Sequence, residues 1–165
     1  MLSEPKLEQR AAQPYVAIRR QVTMQELGTV LPPLHDDVIR WLKSKGEATA
    51  GAPFFRYGLM DMDENRFDVE VGWPVAAPLA GNGDIVAGVL PAGRYGVVLN
   101  TGPYNDLVGA HYALLEWGKK HNVVWQTSDN GQVWGARIEF YITDPAEEPD
   151  PQKWETEVAF LAEEA

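Results

Sequence analysis

The sequence has 165 residues, of which 45% are hydrophobic, with a formal net charge of -10 and no cysteine. This composition suits one globular domain spanning residues 1–165, and the lack of cysteine excludes disulfides, zinc–thiolate sites and thiol nucleophiles. The acidity argues against direct nucleic acid binding, which needs basic residues for the phosphates. No apolar run is long enough to cross a membrane and no signal peptide is evident, so we expect a cytoplasmic protein.

The first half of the chain is predicted to contain four strands and one helix. The expected strands are 6–10, 15–21, 53–59 and 67–73. Pro32-Pro33 predicts a helix start, because proline is tolerated in the first helical turn, and apolar residues at helical spacing continue to Gly46. The acidic turn 61–65 joins the last two strands into a hairpin.

The second half repeats this plan. The expected strands are 84–91, 94–100, 123–127 and 133–142, and a helix follows Gly102-Pro103-Tyr104. Asp129-Asn130-Gly131 is typical of a hairpin turn. We place pseudo-repeats at about 5–76 and 84–143, followed by a tail over 144–165. In that tail, 155–161 fits either a helix or a strand, and its alternation favours an edge strand.

The predicted strand 133–142 has two contrasting faces, because side chains of a strand alternate. One face carries Ala136, Ile138, Phe140 and Ile142. The other carries Arg137, Glu139 and Tyr141. A glutamate in a central strand is costly unless it is paired, hydrogen-bonded or beside a wet cavity. Two interpretations of Glu139 stay open: it pairs with Arg137 or a cross-strand lysine on a solvated face, or it lies in a site.

The duplication predicts an α+β fold with an antiparallel sheet of about eight strands and two main helices on one face. We expect the helices to pack on residues such as Ile138 and Phe140. The face with Glu70, Glu139 and Tyr141 is then solvated, dimerised or curved into a groove. If Glu70 and Glu139 are related by the repeat, both project near the midline. A buried Glu139 is expected to have a raised pKa.

Several stretches together resemble the GyrI-like family, the effector-binding domains found alone or fused to helix-turn-helix regulators of the AraC and MerR types. They are Gly102-Pro103-Tyr104, Trp117, strand 138–142 and the tail segment 150–158. The resemblance covers nearly the whole chain and implies a curved sheet with a central groove for hydrophobic, often cationic, multidrug-like molecules. It also implies that Glu139 lies in that groove and that the tail forms a strand. Because 165 residues leave no room for a DNA-binding domain beside this one, we expect a stand-alone member.

The candidate ligand-binding residues are Glu139, Tyr141, Glu70, Tyr104, Phe55, Tyr57 and Trp125. The acidic residues would compensate a cation and the aromatic rings would stack on it. The alternatives are a solvated face for Glu70, a surface position for Tyr141 and a hydrophobic staple for Tyr104. For Phe55, Tyr57 and Trp125 the alternative is core packing. The tryptophans at 41, 73, 117 and 134, and His111, are assigned to the core. We predict no metal site and no cofactor.

Two functions stay open. The first is binding of an aromatic, cationic effector or toxin with Glu139 as the acidic centre. The second, implied by the resemblance, is hydrolysis that opens the cyclopropane ring of a DNA-alkylating natural product, with Glu139 directing water and Tyr104 as donor. In both, the partner is a small molecule, with no nucleic acid or membrane, and the protein is a monomer or homodimer. Mimicry of nucleic acid by the acidic surface is less favoured, because the acidic residues concentrate in the tail.

Overall fold

The structure, a computed structural model, describes residues 1–164. Within that range the strands are β1 (Lys6–Arg10), β2 (Gln13–Val22), β3 (Phe54–Asp61), β4 (Arg66–Pro74), β5 (Ile85–Leu90), β6 (Gly93–Thr101), β7 (Thr127–Ser128), β8 (Val133–Tyr141) and β9 (Glu155–Leu161). The α-helices are α1 (Leu34–Ser44) and α2 (Leu107–Lys120). Neither helix is long and apolar enough to span a bilayer.

The local signals place the helix and turn boundaries. α1 begins directly after Pro33 and is followed by Gly46, whose φ of 69° suits a residue without a side chain. The turn before β8 has positive φ at Asp129, Asn130 and Gly131. Asn, Asp and Gly tolerate that conformation best, so the predicted hairpin turn is confirmed.

The strand predicted at 123–127 is largely wrong, since β7 contains only Thr127–Ser128. The amide of Val123 instead bonds to the carbonyl of Gly118 at 2.9 Å, which caps the end of α2. Trp125 makes a single bridge to Ala162 beyond β9. The backbone groups of Val123 and Trp125 are therefore bonded to the end of α2 and to Ala162, and they are not free to extend β7 along β8.

The strands form one antiparallel sheet in the order β1-β6-β9-β8-β3-β4-β2-β5, with β7 beside β8. The sheet curls into a half-barrel. Strand β1 corresponds to β5, β2 to β6, β3 to β8 and β4 to β9. With this matching, the order read inward from one edge of the sheet repeats the order read inward from the other edge. Each half is therefore strand, strand, helix, strand, strand, and the halves meet at the β3–β8 pair.

The tail belongs to the second half of the sheet, which corrects two predictions. The repeat was expected to end near 143, and 155–161 was expected to be an edge strand. β9 lies between β6 and β8 and is the fourth strand of the second half. Its last four residues, from Val158 to Leu161, are all buried, as a central strand requires.

The two helices lie on the face of the sheet that carries Glu139. Directly paired residues share a face, and Glu139 pairs with Phe55 on one side and Val158 on the other. Val158 is in the core cluster beneath α2. The expectation that the helices pack on Ile138 and Phe140 is wrong. These side chains lie on the opposite face, where the curl of the sheet closes a second core.

Glu70 is not the counterpart of Glu139, contrary to the sequence prediction. It lies on β4, which is matched with β9 rather than with β8. It is paired with Arg56, the neighbour of Phe55, so its side chain points to the face opposite Glu139. There its carboxylate accepts a hydrogen bond from the hydroxyl of Tyr15 at 2.7 Å.

Candidate functional site

A groove of about 1190 Å³ lies on the Glu139 face, with β3 and β8 at its floor and residues of α1 and α2 along its sides. Its larger apolar and aromatic lining residues are Met24, Leu27, Phe55, Tyr57, Met60, Met62, Phe67, Trp73, Tyr104, Leu107, Val108, Tyr112, Leu115, Trp134, Tyr141 and Ile142. Its charged lining residues are Asp36, Arg137, Glu139 and Asp144. An apolar concavity with a few polar groups is the usual make-up of a small-molecule site.

The carboxylate of Glu139 lies at the floor of the groove and is 6% exposed. Its Oε1 accepts hydrogen bonds from the hydroxyls of Tyr57 at 3.1 Å and Tyr141 at 2.5 Å. Its Oε2 is 2.7 Å from Nε2 of His111. A carboxylate has about four acceptor positions, so these three bonds leave one on Oε2 for a further donor.

His111 connects Glu139 to a buried arginine. The Nε and one Nη of Arg137 lie 3.0 and 2.9 Å from Nδ1 of His111. Because a guanidinium only donates, Nδ1 must accept, and the ring proton is on Nε2, where it is donated to Glu139. The imidazole in this arrangement is neutral, and it joins one cation to one anion.

The hydrogen bonds keep Glu139 ionised. Burial raises the pKa of Glu139, but the hydrogen bonds from His111, Tyr141 and Tyr57 outweigh burial and hold the pKa below its usual value. The expectation of a raised pKa is therefore wrong. Burial, followed by the charge of Glu139, keeps the pKa of Tyr57 and Tyr141 well above the usual value, so both hydroxyls stay protonated as donors.

Arg137 is held by aromatic rings on the same side of the sheet. Its guanidinium carbon is 4.6 Å from the centre of the Trp134 ring and 4.5 Å from that of Phe160. Burial lowers the pKa of Arg137 to about 10, with the charge of Glu139 opposing that shift. The guanidinium remains a cation at neutral pH.

The wall of the groove beside α1 is mainly aromatic, and its histidine is neutral. The ring of His35 stacks on Phe55, with centres 5.3 Å apart and an interplanar angle of 15°. Its Nε2 donates to the carbonyl of Phe54 at 3.0 Å, since a carbonyl can only accept. Burial lowers the pKa of His35, which favours the neutral ring. Trp73 donates its indole N–H to the backbone carbonyl of His35 at 2.9 Å.

The rim of the groove is apolar and partly exposed. Tyr104 packs against Tyr141 and Trp154, with ring centres 5.5 and 4.7 Å apart. The other exposed apolar lining residues are Met24, Met62, Val108, Tyr112 and Ile142. Flexible methionines and aromatic rings at a mouth allow ligands of different shape to be covered.

The structure brings together most of the predicted site residues. Glu139, Tyr141, Tyr57 and Phe55 meet at the floor of the groove, and Tyr104 lies at its rim. Glu70 is on the other face of the sheet. Trp125 packs over Gly96 and Gly118 and against Phe160, outside the groove.

Among the groove residues that sequence reasoning missed are His35, His111, Arg137, Trp73 and Trp134. A signal existed for the histidines, since each precedes the tryptophan of its helix, Trp41 or Trp117, by the same number of residues. The tryptophans in the strands were missed for other reasons. Trp73 has the opposite parity to Glu70, which was wrongly placed on the Glu139 face. For Trp134, an irregularity in the β3–β8 register redirects the chain. Among residues 1–164, no group of His, Asp and Glu side chains is arranged to hold a metal ion.

Solved structures share this fold. The crystal structure of the EcmrR C-terminal domain aligns over 98% of this chain and 98% of its own, with 22% identity and a TM-score of 0.80. This chain spans 58% of the EcmrR chain in a cryo-EM complex with DNA. SAV2435 bound to tetraphenylphosphonium aligns over 98% of this chain and 94% of its own, with 12% identity and a TM-score of 0.67.

A hydrolase from Listeria innocua aligns over 97% of this chain and 92% of its own, with 10% identity and a TM-score of 0.62. At these identities the likeness is one of fold. No curated protein sequence matches the chain. The profile of the GyrI-like small molecule binding domain matches residues 3–161, which include both halves of the sheet and every residue that contacts Glu139. The chain therefore belongs to the family of GyrI-like small molecule binding domains.

Proposed function

We propose that this domain binds hydrophobic, aromatic and cationic small molecules in the groove, with Glu139 as the acidic centre. The observation that supports this most directly is the position of Glu139. It is an ionised carboxylate at the floor of a groove of about 1190 Å³, with Phe55, Tyr57 and Tyr141 around it. Aromatic rings bind flat apolar ligands, and a carboxylate among them compensates a positive charge.

The balance of charge in the groove favours cations. Asp36, Glu139 and Asp144 line it, against the single guanidinium of Arg137. A low-dielectric concavity strengthens such an excess of negative charge over its value in water. The free acceptor position on Oε2 of Glu139 also suits a ligand N–H. The tetraphenylphosphonium bound to SAV2435 is an aromatic cation and agrees with this choice of ligand class.

The test compares Glu139→Gln with the wild type, using a rhodamine ester as a cationic dye and Nile red as a neutral one. We expect Glu139→Gln to weaken the cationic dye by about 1–3 kcal/mol, the cost of removing a charged partner in a partly buried site. The neutral dye should lose much less. Fluorescence titration measures both affinities.

Glu70→Gln is the matched control, because it removes an equal charge from the other face of the sheet. It should leave both dyes unaffected. Equal losses for the two dyes in Glu139→Gln would contradict charge recognition by Glu139.

Hydrolysis of a strained ring is the second candidate. The observation that favours it is the anionic Glu139 with one acceptor position free, which can orient and deprotonate water, while the phenol of Tyr104 lies at the rim as a donor. Incubation with a cyclopropane-bearing alkylator, followed by mass spectrometry, separates the two. Several hydrated products per protein, lost in Glu139→Gln, would favour an enzyme, and stoichiometric protection of the alkylator would favour a binder.

A further inference from the structure

Arg137 is a buried cation without a carboxylate partner in the part of the chain that the structure describes. It is 9% exposed and lines the groove. Its guanidinium contacts neutral His111 through Nε and one Nη, and no ion pair to an acidic side chain forms within residues 1–164. A buried charge that is neither paired nor fully hydrogen-bonded is costly, so a partner from outside the chain would be stabilising.

The remaining donors of Arg137 are available to such a partner. A guanidinium has five N–H groups in a planar fork, and His111 takes only Nε and one Nη. Within the described chain the other Nη makes no hydrogen bond to protein. The rings of Trp134 and Phe160 fix the plane of the guanidinium, which lowers the entropy lost when a further bond forms.

The sign of the charge therefore changes along the length of the groove. Arg137, Glu139 and Tyr141 follow one another along one face of β8, about 7 Å apart by the rise of a strand. Asp144 follows beyond Tyr141, and Asp36 is next to His35, whose ring lies 6.0 Å from that of Tyr141. One end of the groove offers a cation and the middle and other end offer carboxylates.

We propose that the groove selects zwitterionic aromatic ligands, in which a cationic group lies at Glu139 and an anionic group is bound by the free donors of Arg137. This rests on the proposed binding function and narrows its ligand class. A ligand with a cation alone meets repulsion from Arg137 as well as attraction from Glu139. A carboxylate placed about 7 Å from the cation turns that repulsion into a charge-assisted hydrogen bond.

The probe pair is (4-carboxybutyl)triphenylphosphonium, a zwitterion, and its methyl ester, a cation of nearly the same shape. Isothermal titration calorimetry on the wild type should give the zwitterion an affinity roughly tenfold or more above that of the ester, the effect of one charge-assisted hydrogen bond. In Arg137→Met the ratio should fall to about one, and the ester should bind at least as well as before. Arg19→Met is the matched control, since Arg19 is exposed and pairs with Asp68 away from the groove; the ratio should be retained.

A ratio near one in the wild type, or an unchanged ratio in Arg137→Met, would overturn the proposal. If Arg137→Met does not fold, a variant that keeps a donor for His111 replaces it. Because a lysine would keep the positive charge and three donors, this variant is Arg137→Gln, whose amide can still donate to Nδ1 of His111 but carries no charge. The ratio should fall in Arg137→Gln as in Arg137→Met, and full retention there would count against the proposal. The methyl ester with Glu139→Gln tests the binding function separately. Loss of ester affinity without any preference for the zwitterion leaves the function standing and removes the role of Arg137.

Discussion

The two halves of the sheet place different residues at the same central point. Phe55 of β3 and Glu139 of β8 face each other in the pair that joins the halves. Each is followed two residues later by a tyrosine, Tyr57 or Tyr141, on the same face. In the first half a histidine of the helix stacks on Phe55. In the second half the matching histidine, His111, donates a hydrogen bond to Glu139.

This difference separates scaffold from site. The strand order, the helix positions and both tyrosines are common to the halves, but one centre is a ring and the other is a carboxylate. Tyr57 of the first half crosses the seam to bind Glu139, so the polar centre uses residues of both halves. The first half supplies the stacking wall, and the second half supplies the buried charges, Arg137 and Glu139. A groove with two unlike walls can hold a ligand in one orientation.

The largest expected effect comes from replacing Glu139 with an apolar side chain, so that it resembles Phe55, the residue opposite it. Glu139→Leu removes the acceptor of His111, Tyr57 and Tyr141 and leaves Arg137 without a nearby anion. Removing one member of a buried charged group costs about 3–5 kcal/mol of unfolding free energy. Phe55→Leu, at the opposed position, should cost only about 1 kcal/mol, because an apolar side chain of similar size replaces it.

Urea denaturation followed by tryptophan fluorescence measures both free energies. Equal costs at the two positions would mean that Glu139 acts as a packing residue and that the polar network adds nothing specific.

Removing the hydroxyl of Tyr57 or Tyr141 should lower the free energy of unfolding by less than Glu139→Leu does. The loss should still exceed that for a tyrosine hydroxyl bonded to a neutral acceptor. Tyr57→Phe and Tyr141→Phe each remove one hydrogen bond to an ionised carboxylate, so we expect each to cost about 1.5–3 kcal/mol. Tyr95→Phe is the control, since that hydroxyl donates to the neutral carbonyl of Pro91, and it should cost about 0.5–1.5 kcal/mol. Denaturant titration of the three variants gives the ranking, and a Tyr95 cost equal to the others would contradict it.

Of the two central positions, Phe55 and Glu139, acid should weaken only the one with the carboxylate. The pKa of Glu139 is below its usual value of 4.5 in the folded protein, so its ionisation stabilises the fold above pH 4.5. That contribution is lost as the pH falls below 4.5 and through the folded pKa. Glu139→Gln lacks it, and the stability difference between the wild type and Glu139→Gln should shrink from pH 7 to pH 3. Melts of both proteins across this range test the sign, and a difference that grows in acid would contradict it.

Much of the scaffold was predictable from local signals. Proline before α1, the Asn-Gly turn before β8 and period-two alternation place most elements within a few residues of their observed bounds. The face of each strand was harder, because alternation shows that two faces exist but not which one the helices cover. Ile138 and Phe140 looked like residues beneath a helix, yet a curled sheet closes a core of its own around them.

The sequence was enough to predict Glu139 as the central residue of the site, but not the set of side chains that hydrogen-bond to it. Glu139 stood out because a carboxylate in a central strand is costly without partners. Its partners come from β3, α2 and β8, and contacts between distant elements leave no periodic signal. Glu70 was misplaced for a related reason. The matching of strands between the halves depends on β9, which comes after the part of the chain that resembles a repeat.

The smallest effects come from a glycine that distinguishes the two helices. Gly118 follows Trp117 as Leu42 follows Trp41, and the ring of Trp125 occupies the space that a leucine fills in the first half. A Cβ on Gly118 would lie 2.6 Å from that ring. Gly118→Ala should therefore destabilise by about 1 kcal/mol, the overpacking cost less the helix gain of alanine.

Gly109, in the same helix, is the matched position, because a Cβ there meets nothing within 4 Å. Gly109→Ala should stabilise the protein by about 0.5–1 kcal/mol through helix propensity alone. Thermal unfolding of the two variants should shift the midpoint in opposite directions. A higher midpoint in both variants would contradict this, because it would show that Trp125 moves aside freely. Position 118 of α2 would then tolerate a side chain as well as position 42 of α1 does.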